Sequence, residues 1–210
     1  MMPHVSVIIP THNRANLLKK SVTSVLSQSY RDFELLVIDD CSTDNTSEVM
    51  ANITDKRVSY KKNTSNEGIP TTRNIALSYT NGKYIAFLDD DDEWMPDKLE
   101  KQLNIMENSS TSLGCVYTGR NLIYTDDKSL NQTIVPQYRK KILKELLLDN
   151  FINTSTTLLR AACFEKVGMF DESIPFAEDY DMWIRIAQDY EFDVVMSPLI
   201  NWRIHRNSIS

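Results

Sequence analysis

Five apolar or aromatic residues pass directly into five acids in the stretch Tyr84-Ile85-Ala86-Phe87-Leu88-Asp89-Asp90-Asp91-Asp92-Glu93-Trp94. The apolar part does not alternate with polar residues, which is typical of a parallel strand buried on both faces of a sheet. Ligands of open α/β sheets bind at the carboxyl ends of the strands, and adjacent carboxylates placed there are usually stabilised by a cation. The stretch therefore predicts a metal or ligand site at a sheet edge. The alternative is an acidic loop that only solvates the end of a strand.

The residues before this stretch alternate between strand and helix patterns. Strands are predicted at 5–9, 33–38 and 57–61, and helices at about 16–26, 42–53 and 70–79. This order predicts an α/β fold with a mainly parallel sheet flanked by helices. Asp39-Asp40 follows the second strand, so this pair and residues 89–92 are expected to meet at one edge of the sheet.

The second half of the chain is less regular. Short strands are predicted in two pairs, at 114–118 with 122–124 and at 192–196 with 199–204. An apolar stripe predicts a helix from Asp179 to Tyr190. The 210 residues contain no repeat, low-complexity tract or linker, and they suffice for one hydrophobic core, so a single domain is expected.

Composition excludes several classes of protein. The formal net charge of −6 argues against non-specific nucleic-acid binding, which needs a basic face. The three cysteines are widely spaced, which favours reduced thiols in a cytosolic protein over a disulfide framework or a zinc site. No apolar run approaches the ~20 residues that span a bilayer, so any membrane association is expected to be peripheral. No Walker loop, Gly-x-Gly-x-x-Gly or Gly-x-Ser-x-Gly motif is present.

Four groups of residues carry the candidate chemistry: Asp39-Asp40, Arg73, residues 89–92, and Glu178-Asp179. Carboxylates with phosphate oxygens suit Mg²⁺ or Mn²⁺, arginine clamps phosphate, and a carboxylate at a helix start is a candidate general base. Together they predict a reaction on a phosphorylated substrate with a divalent metal. Simpler interpretations also apply: Asp39 or Asp40 as a helix cap, Arg73 as a surface residue, and Glu178-Asp179 as first-turn acids favoured by the helix dipole.

The ordered motifs of the chain resemble those of the family-two inverting glycosyltransferases with the GT-A fold. Five blocks carry the resemblance: VSVIIPTHNR from Val5, VIDDCSTD from Val37, NEG from Asn66 with TRN from Thr72, FLDDDDEW from Phe87, and EDYDMWIR from Glu178. They cover nearly the whole chain in the family's order. The resemblance implies a Rossmann-like sheet with a smaller mixed acceptor-side region. It also implies a nucleotide-binding half at about 1–95 and an acceptor-binding half at about 96–210.

The resemblance further implies an enzyme of the hexosyltransferase type. It would transfer a sugar, with inversion, from a nucleotide-diphospho-sugar donor, usually UDP-linked, to a hydroxyl acceptor. Bacterial surface-polysaccharide or glycan synthesis is the family's common role. A lipid-linked or glycan acceptor and a cytoplasmic location at the inner face of the membrane follow from that role.

The roles of individual residues also come from the resemblance. They place Pro10 and Thr11 against the nucleoside, Asp40 on the base, and Arg73 on the nucleotide. Asp91 is the expected direct ligand of Mn²⁺ or Mg²⁺, Asp89 contacts ribose or metal, and Asp90 belongs to the same donor-binding run. Asp179 is the expected catalytic base, and Glu178 positions the acceptor. His205 fits a histidine that reaches metal or phosphate, although a histidine near a chain end is often structural.

Two other functions remain as alternatives. A sugar-nucleotide pyrophosphorylase has a related fold but normally opens with a glycine-rich loop after the first strand, where this chain has Pro10-Thr11-His12-Asn13-Arg14. A non-catalytic nucleotide-sugar-binding relative would not need the full set of acids that is present here. Processive polysaccharide synthases need membrane helices and a Gln-x-x-Arg-Trp motif, so addition of a single sugar is expected.

Overall fold

The computed structural model describes residues 2–204. Within this range the chain forms nine β-strands and seven α-helices. The strands are β1 (Val5–Thr11), β2 (Phe33–Asp39), β3 (Val58–Lys62), β4 (Tyr84–Phe87), β5 (Glu93–Trp94), β6 (Leu113–Tyr124), β7 (Gln132–Ile134), β8 (Leu158–Arg160) and β9 (Glu191–Ile204). The helices are α1 (Ala15–Leu26), α2 (Thr46–Ala51), α3 (Ile69–Leu77), α4 (Lys98–Glu107), α5 (Leu143–Leu146), α6 (Ala161–Val167) and α7 (Glu178–Asp189).

All nine strands belong to one sheet, with the order β3-β2-β1-β4-β8-β6-β9-β5 and β7 beside β6. The first four strands along the chain, β1 to β4, are parallel, as predicted from the strand–helix alternation. β8 is antiparallel to β4 and to β6, while β9 runs parallel to β6. The predicted α/β class is confirmed: a parallel nucleotide-type half is continued by a mixed half.

The central strands β1 and β4 are mainly apolar because helices cover both faces of the sheet. Val7 and Ala86 belong to a core on one face with residues of α1, α2 and α4. Ile8 and Phe87 belong to a second core on the other face with residues of α3, α5, α6 and α7. Successive strand residues therefore alternate between two buried cores, and no position needs to be polar.

The two predicted strand pairs in the second half are wrong, since each is one long strand. β6 and β9 pair along their whole length, with register shifts on both sides of Gly119, which lies opposite Pro198. Glycine and proline predict a break from sequence, but here they occupy a bulge inside continuous strands. A Cβ at Gly119 would lie 2.8 Å from the carbonyl oxygen of Ile134, so this position admits no side chain without movement.

One edge of the sheet collects the ends of strands from both halves. β1, β2 and β4 end there because they are parallel, and β6 and β9 end there because both run antiparallel to β8. β8 begins at this edge, directly after a 3₁₀ turn at Thr154–Thr156. The candidate site therefore lies at the edge where β1, β2, β4, β6 and β9 end and β8 begins. No helix among the described residues 2–204 has both the length and the hydropathy to cross a membrane.

Candidate active site

A cavity of about 620 Å³ lies at this edge. Its wall contains residues that follow β1, β2 and β4, residues of α3 and of the α7 start, and side chains from β6 and β9. All but one of the predicted site residues line it: Pro10, Thr11, Asp40, Arg73, Asp89, Asp90, Asp91, Glu178 and Asp179. His205 lies outside the described residues. The structure thus brings the predicted residues together, while their individual roles stay predictions.

The four aspartates after β4 differ in their surroundings. Asp91 accepts a hydrogen bond from Arg14 at 2.8 Å, and Asp89 accepts one from Arg73 at 2.8 Å while about a third of its side chain stays exposed. Asp90 is 5% exposed and Asp92 is fully buried. The acids therefore fall into two pairs, with Asp89 and Asp91 the more accessible from the cavity.

Asp90 is held by groups on the first strand and the turn after it. Thr11 Oγ1 donates to its Oδ2 at 2.7 Å, and Arg14 Nη1 donates to its Oδ1 at 3.0 Å. Burial raises the pKa of Asp90 to about 6, although Arg14 and Thr11 act in the opposite direction. The carboxylate therefore joins β1 and the turn after it to the acidic turn at the cavity wall.

Asp92 anchors the acidic turn from beneath. Its Oδ2 accepts from Ser155 Oγ at 2.6 Å, and its Oδ1 accepts from the backbone N–H of Arg203 at 3.1 Å. Ser155 Oγ also accepts from the backbone N–H of Asp89 at 3.0 Å. Burial, together with neighbouring Asp89 and Asp91, raises the pKa of Asp92 well above its usual range. Asp92 thus ties the turn to β9 and to the 3₁₀ turn.

The aspartate pair at the end of β2 also has one member inside the protein and one member at the cavity wall. Asp39 is fully buried; it accepts from the backbone N–H of Ser42 at 2.7 Å and from the hydroxyl of Tyr60 at 2.5 Å. Asp40 lines the cavity and accepts from the backbone N–H groups of Glu67 and Gly68, at 2.8 and 2.9 Å. These two hydrogen bonds hold the polar loop in place before α3. Gly68 in this loop has φ +84°, a backbone conformation that favours glycine.

Arg73 joins two of the acids across the cavity wall. It is 3% exposed; its Nη2 donates to Asp89 at 2.8 Å, and its Nη1 donates to Glu178 Oε1. The pKa of Arg73 is raised because Asp89, Glu178 and Asp179 outweigh its burial, and burial in turn raises the pKa of Glu178. Arg73 is therefore a buried part of the site and not a surface helix residue.

Asp179 is a carboxylate in the first turn of α7. Its Oδ2 accepts from Thr154 Oγ1 at 2.6 Å and its Oδ1 from the backbone N–H of Tyr180 at 2.7 Å. Burial raises the pKa of Asp179, against the effect of Thr154 and Arg73. Ala177, just before the helix, has φ +60° and ψ +28°, a left-handed conformation that is uncommon for alanine and often found at functional sites. A raised pKa and fixed orientation suit a general base.

The residues at the cavity fit a divalent cation with oxygen ligands. Asp89 and Asp91 supply carboxylate oxygens at the cavity wall, and Mg²⁺ or Mn²⁺ needs only one or two of these when phosphate oxygens complete its shell. Within residues 2–204 no three Asp, Glu, His or Cys side chains form a ready-made metal cage. Any such ion would therefore be shared with a bound phosphate.

Several residues of the site were given no role from sequence. Arg14, in the turn after β1, pairs with Asp90 and Asp91. Its position directly after the first strand could have indicated a site residue, because this strand ends at the same edge of the sheet as the acids. His12 also lines the cavity, although its side chain is exposed. Thr154 and Ser155 belong to a polar run that carried no recognisable motif, and Arg120 and Trp202 come from the two strands that were predicted as broken.

Two solved structures with bound nucleotide sugars share this fold. The S. aureus TarS 1–349 complex with UDP-GlcNAc has a TM-score of 0.79 and 20% identity, covering 98% of this chain and 60% of that chain. A mannosyltransferase, PcManGT from Pyrobaculum calidifontis, in complex with GDP-Man and Mn²⁺, has a TM-score of 0.78 and 20% identity, covering 99% and 59%. At this identity the likeness establishes the fold, which is the predicted GT-A fold.

The chain belongs to glycosyl transferase family 2, whose family model matches residues 6–168. It is 34% identical over 211 residues to the Escherichia coli UDP-Glc:alpha-D-GlcNAc-diphosphoundecaprenol beta-1,3-glucosyltransferase WfgD, covering 98% of this chain and 79% of that protein. It is 32% identical over 209 residues to an uncharacterized glycosyltransferase of Rickettsia prowazekii, covering 97% and 64%. The chain thus spans less than two thirds of the Rickettsia protein.

Proposed function

We propose that this protein is a metal-dependent, inverting glycosyltransferase that transfers a sugar from a nucleotide-diphospho-sugar to a hydroxyl acceptor in the synthesis of a bacterial surface polysaccharide or another glycan. One observation carries the proposal: Asp89 and Asp91, directly after β4, share a cavity with Asp179, a half-buried carboxylate with a raised pKa. A metal–diphosphate site and a general base in one cavity are the two parts that such a transfer needs.

A UDP-linked donor is supported by the relatives. WfgD is named for UDP-Glc, and the TarS structure contains UDP-GlcNAc. In this chain the residues up to 95 would hold the nucleotide, with Pro10, Thr11, Asp40 and Arg73 on its side of the cavity. The residues from 96 onward, including the 3₁₀ turn and the start of α7, would hold the acceptor. One domain would contain both halves.

Electrostatics supports the need for a metal. The cavity wall carries six acidic side chains and three arginines, so it repels a diphosphate unless cations are added. Asp89 and Asp91 would hold Mn²⁺ or Mg²⁺, which when bound would neutralise charge on the diphosphate leaving group. Arg73 lies beside Asp89 and would stabilise the same developing charge.

Asp179 would remove the proton from the acceptor hydroxyl. The hydroxyl oxygen forms its bond to the anomeric carbon, the bond from that carbon to the diphosphate oxygen breaks, and the proton goes to an oxygen of Asp179. The hydrogen bond from Thr154 and the bond from the Tyr180 N–H fix the carboxylate plane, so that little reorganisation is needed. Glu178, which is paired with Arg73, would position the acceptor and hold Arg73 in place.

The test combines donor binding with the loss of one group. UDP-glucose and other nucleotide sugars are screened by thermal shift with and without Mn²⁺, because a ligand that binds the native state raises its melting temperature. Asp179→Asn should then lower turnover about 10²–10⁴-fold while the donor affinity stays unchanged. Donor binding without turnover by the wild type on a broad acceptor panel would instead support the non-catalytic alternative. Absence of binding by every nucleotide sugar would refute the proposal.

A location at the inner face of the membrane, with a lipid-linked acceptor, is the finer part of the proposal. WfgD is named for a diphosphoundecaprenol acceptor. In this chain a basic apolar surface with exposed side chains lies around α5: Arg139, Lys140, Lys141, Lys144, Leu147 and Leu148. Leu147 is 62% and Leu148 87% exposed, in a protein whose net charge is −6. Basic side chains beside exposed leucines suit an anionic membrane surface.

The same surface adjoins the cavity. The chain continues from Leu148 to Asn150 and Ile152, both of which line the cavity wall. Tyr180 in α7 donates a hydrogen bond to the carbonyl oxygen of Leu146, which ties α5 to the helix that carries Asp179. A lipid-linked acceptor held at this surface would have a short route to the proposed base.

A further inference from the structure

Arg120 differs from the other two arginines of the cavity wall. Arg14 is paired with Asp90 and Asp91, and Arg73 with Asp89 and Glu178. Arg120 forms no ion pair with any carboxylate among residues 2–204.

Arg120 is nevertheless a buried cation with a fixed position. It is 9% exposed; its Nη1 donates to the carbonyl oxygen of Phe151 at 2.8 Å, and its guanidinium lies over the ring of Trp202, 5.1 Å from the centroid. Its Nε is buried and has no hydrogen-bond partner among the described residues. A guanidinium carries five donors and stays charged in proteins, so this side chain keeps most of its hydrogen-bonding capacity unused.

A buried charge without a counter-ion is costly, and proteins usually keep such a group for a ligand. Burial lowers the pKa of Arg120, and the two carboxylates that oppose this effect, Asp149 and Asp92, form no ion pair with it. The planar fork of guanidinium matches the two oxygens of a phosphate or carboxylate. The Trp202 ring would support the flat face of the Arg120 guanidinium, and the N–H groups at the edge of the guanidinium would donate to the anion.

We infer that Arg120, seated on Trp202, binds an anionic group of a substrate, a phosphate or a carboxylate, in the second half of the cavity. The inference rests on the proposed function for the identity of the substrates. Two sources share this chemistry: an anionic group of the acceptor, or the diphosphate of the donor. The position of Arg120 on β6, beside the segment from Phe151 to Thr154 and not beside β1 or β2, favours the acceptor.

The experiment measures two ligands by thermal shift on the full chain, with chloride used to keep the ionic strength constant. Inorganic phosphate is titrated into protein saturated with UDP and Mg²⁺, and UDP is titrated in parallel with uridine. The variants are Arg120→Met, which removes the charge, and Arg120→Lys, which keeps the charge without the fork. Arg31→Met is the matched control, because Arg31 is exposed and, within residues 2–204, its side chain donates to a backbone carbonyl, that of Leu26, and not to a carboxylate.

An acceptor anion site predicts that R120M weakens phosphate binding by about tenfold or more, while UDP affinity stays within about twofold of the wild type. A donor site predicts that R120M weakens UDP about tenfold and leaves uridine unchanged. In both cases R120K should fall between wild type and R120M, and R31M should match wild type. A folded R120M with wild-type affinity for phosphate and for UDP would overturn the inference.

Two further outcomes are distinguishable. If R120M does not fold, R120K decides, because loss of the bidentate fork should still weaken one of the two ligands about threefold, and no change would overturn the inference. If UDP and every nucleotide sugar fail to bind the wild type, the proposed function fails. The phosphate titration of the UDP-free protein, compared between wild type and R120M, then still tests the anion site.

Discussion

Ser155 is the buried side chain on which the geometry of the acidic turn depends. It is fully buried, its hydroxyl donates to Asp92 at 2.6 Å, and the same oxygen accepts from the Asp89 backbone N–H at 3.0 Å. Ser155→Ala removes both bonds and adds no replacement. We therefore expect a loss of stability that is large for the removal of one oxygen atom.

The magnitude follows from the two bonds. Leaving one buried hydrogen-bonding group without its partner costs about 1–3 kcal/mol, and Ser155→Ala does this both to the Asp92 carboxyl group and to the Asp89 N–H. The free energy of unfolding should thus fall by about 3 kcal/mol. For a chain of this size each kcal/mol corresponds to about 2–4 °C in melting temperature, so Tm should fall by roughly 6–12 °C.

Urea denaturation and calorimetry of Ser155→Ala are compared with Ser173→Ala. Ser173 Oγ donates to Asp171 at 2.7 Å, so the control removes a bond of the same kind from an exposed position. There the expected loss is below about 0.5 kcal/mol, because water replaces the hydroxyl. Equal losses in the two variants would refute the reasoning, since burial of the Asp92 carboxylate would then make no difference.

Three other predictions concern the cavity and its surroundings. Asp89→Asn and Asp91→Asn should each lower turnover by about 10²-fold or more. Asp90→Asn and Asp92→Asn should lower turnover less, and the main effect of Asp92→Asn should be a lower Tm. Equal losses of turnover at all four positions would contradict this division. Because burial raises the pKa of Asp179 and a base must be deprotonated, turnover should rise with pH through that raised pKa. Thr154→Val should move this rise to higher pH, since it removes a hydrogen bond that stabilises the charged carboxylate. A pH profile that Thr154→Val leaves unchanged would rule out this role for Thr154. The double variant Leu147→Ser/Leu148→Ser should no longer sediment with phosphatidylglycerol vesicles, and added salt should also release the wild type, because each basic residue contributes roughly 1 kcal/mol at an anionic surface. The control Tyr79→Ser, at an exposed residue after α3, should bind as the wild type does. Equal binding to neutral phosphatidylcholine vesicles, or no binding to either kind of vesicle, would count against the membrane surface.

The first half of the fold was predictable because its signals are local. Strands β1, β2 and β4 are largely apolar runs, β3 is a weaker one, and helices separate them, so the parallel order and the edge that collects the acids follow from sequence alone. The start of α7 was predicted to within one residue because its stripe of Met182, Trp183 and Ile186 is regular. These features depend on residues a few positions apart.

The second half was not predictable in the same way, because its signals depend on partners far along the chain. Gly119 and Pro198 each predict a break, and only their meeting in a shared bulge makes two long strands possible. Thr154 gains significance only when α7, 25 positions later, brings Asp179 to it. Arg120 within a strand is unremarkable until the fold places it at the cavity without a carboxylate partner.

The division of the four aspartates has a physical basis that the sequence alone does not contain. Two of them, Asp90 and Asp92, are almost completely buried, accept hydrogen bonds from the hydroxyls of Thr11 and Ser155, and carry raised pKa values. The other two are more accessible from the cavity and pair with arginines, Asp89 with Arg73 and Asp91 with Arg14, which also pairs with Asp90. In the proposed function these arginine pairs would be exchangeable, because Asp89 and Asp91 would hold the divalent cation while the arginines would bind the diphosphate. The same ion pairs that stabilise the acids in this structure would therefore keep both halves of the donor site charged and ready to bind.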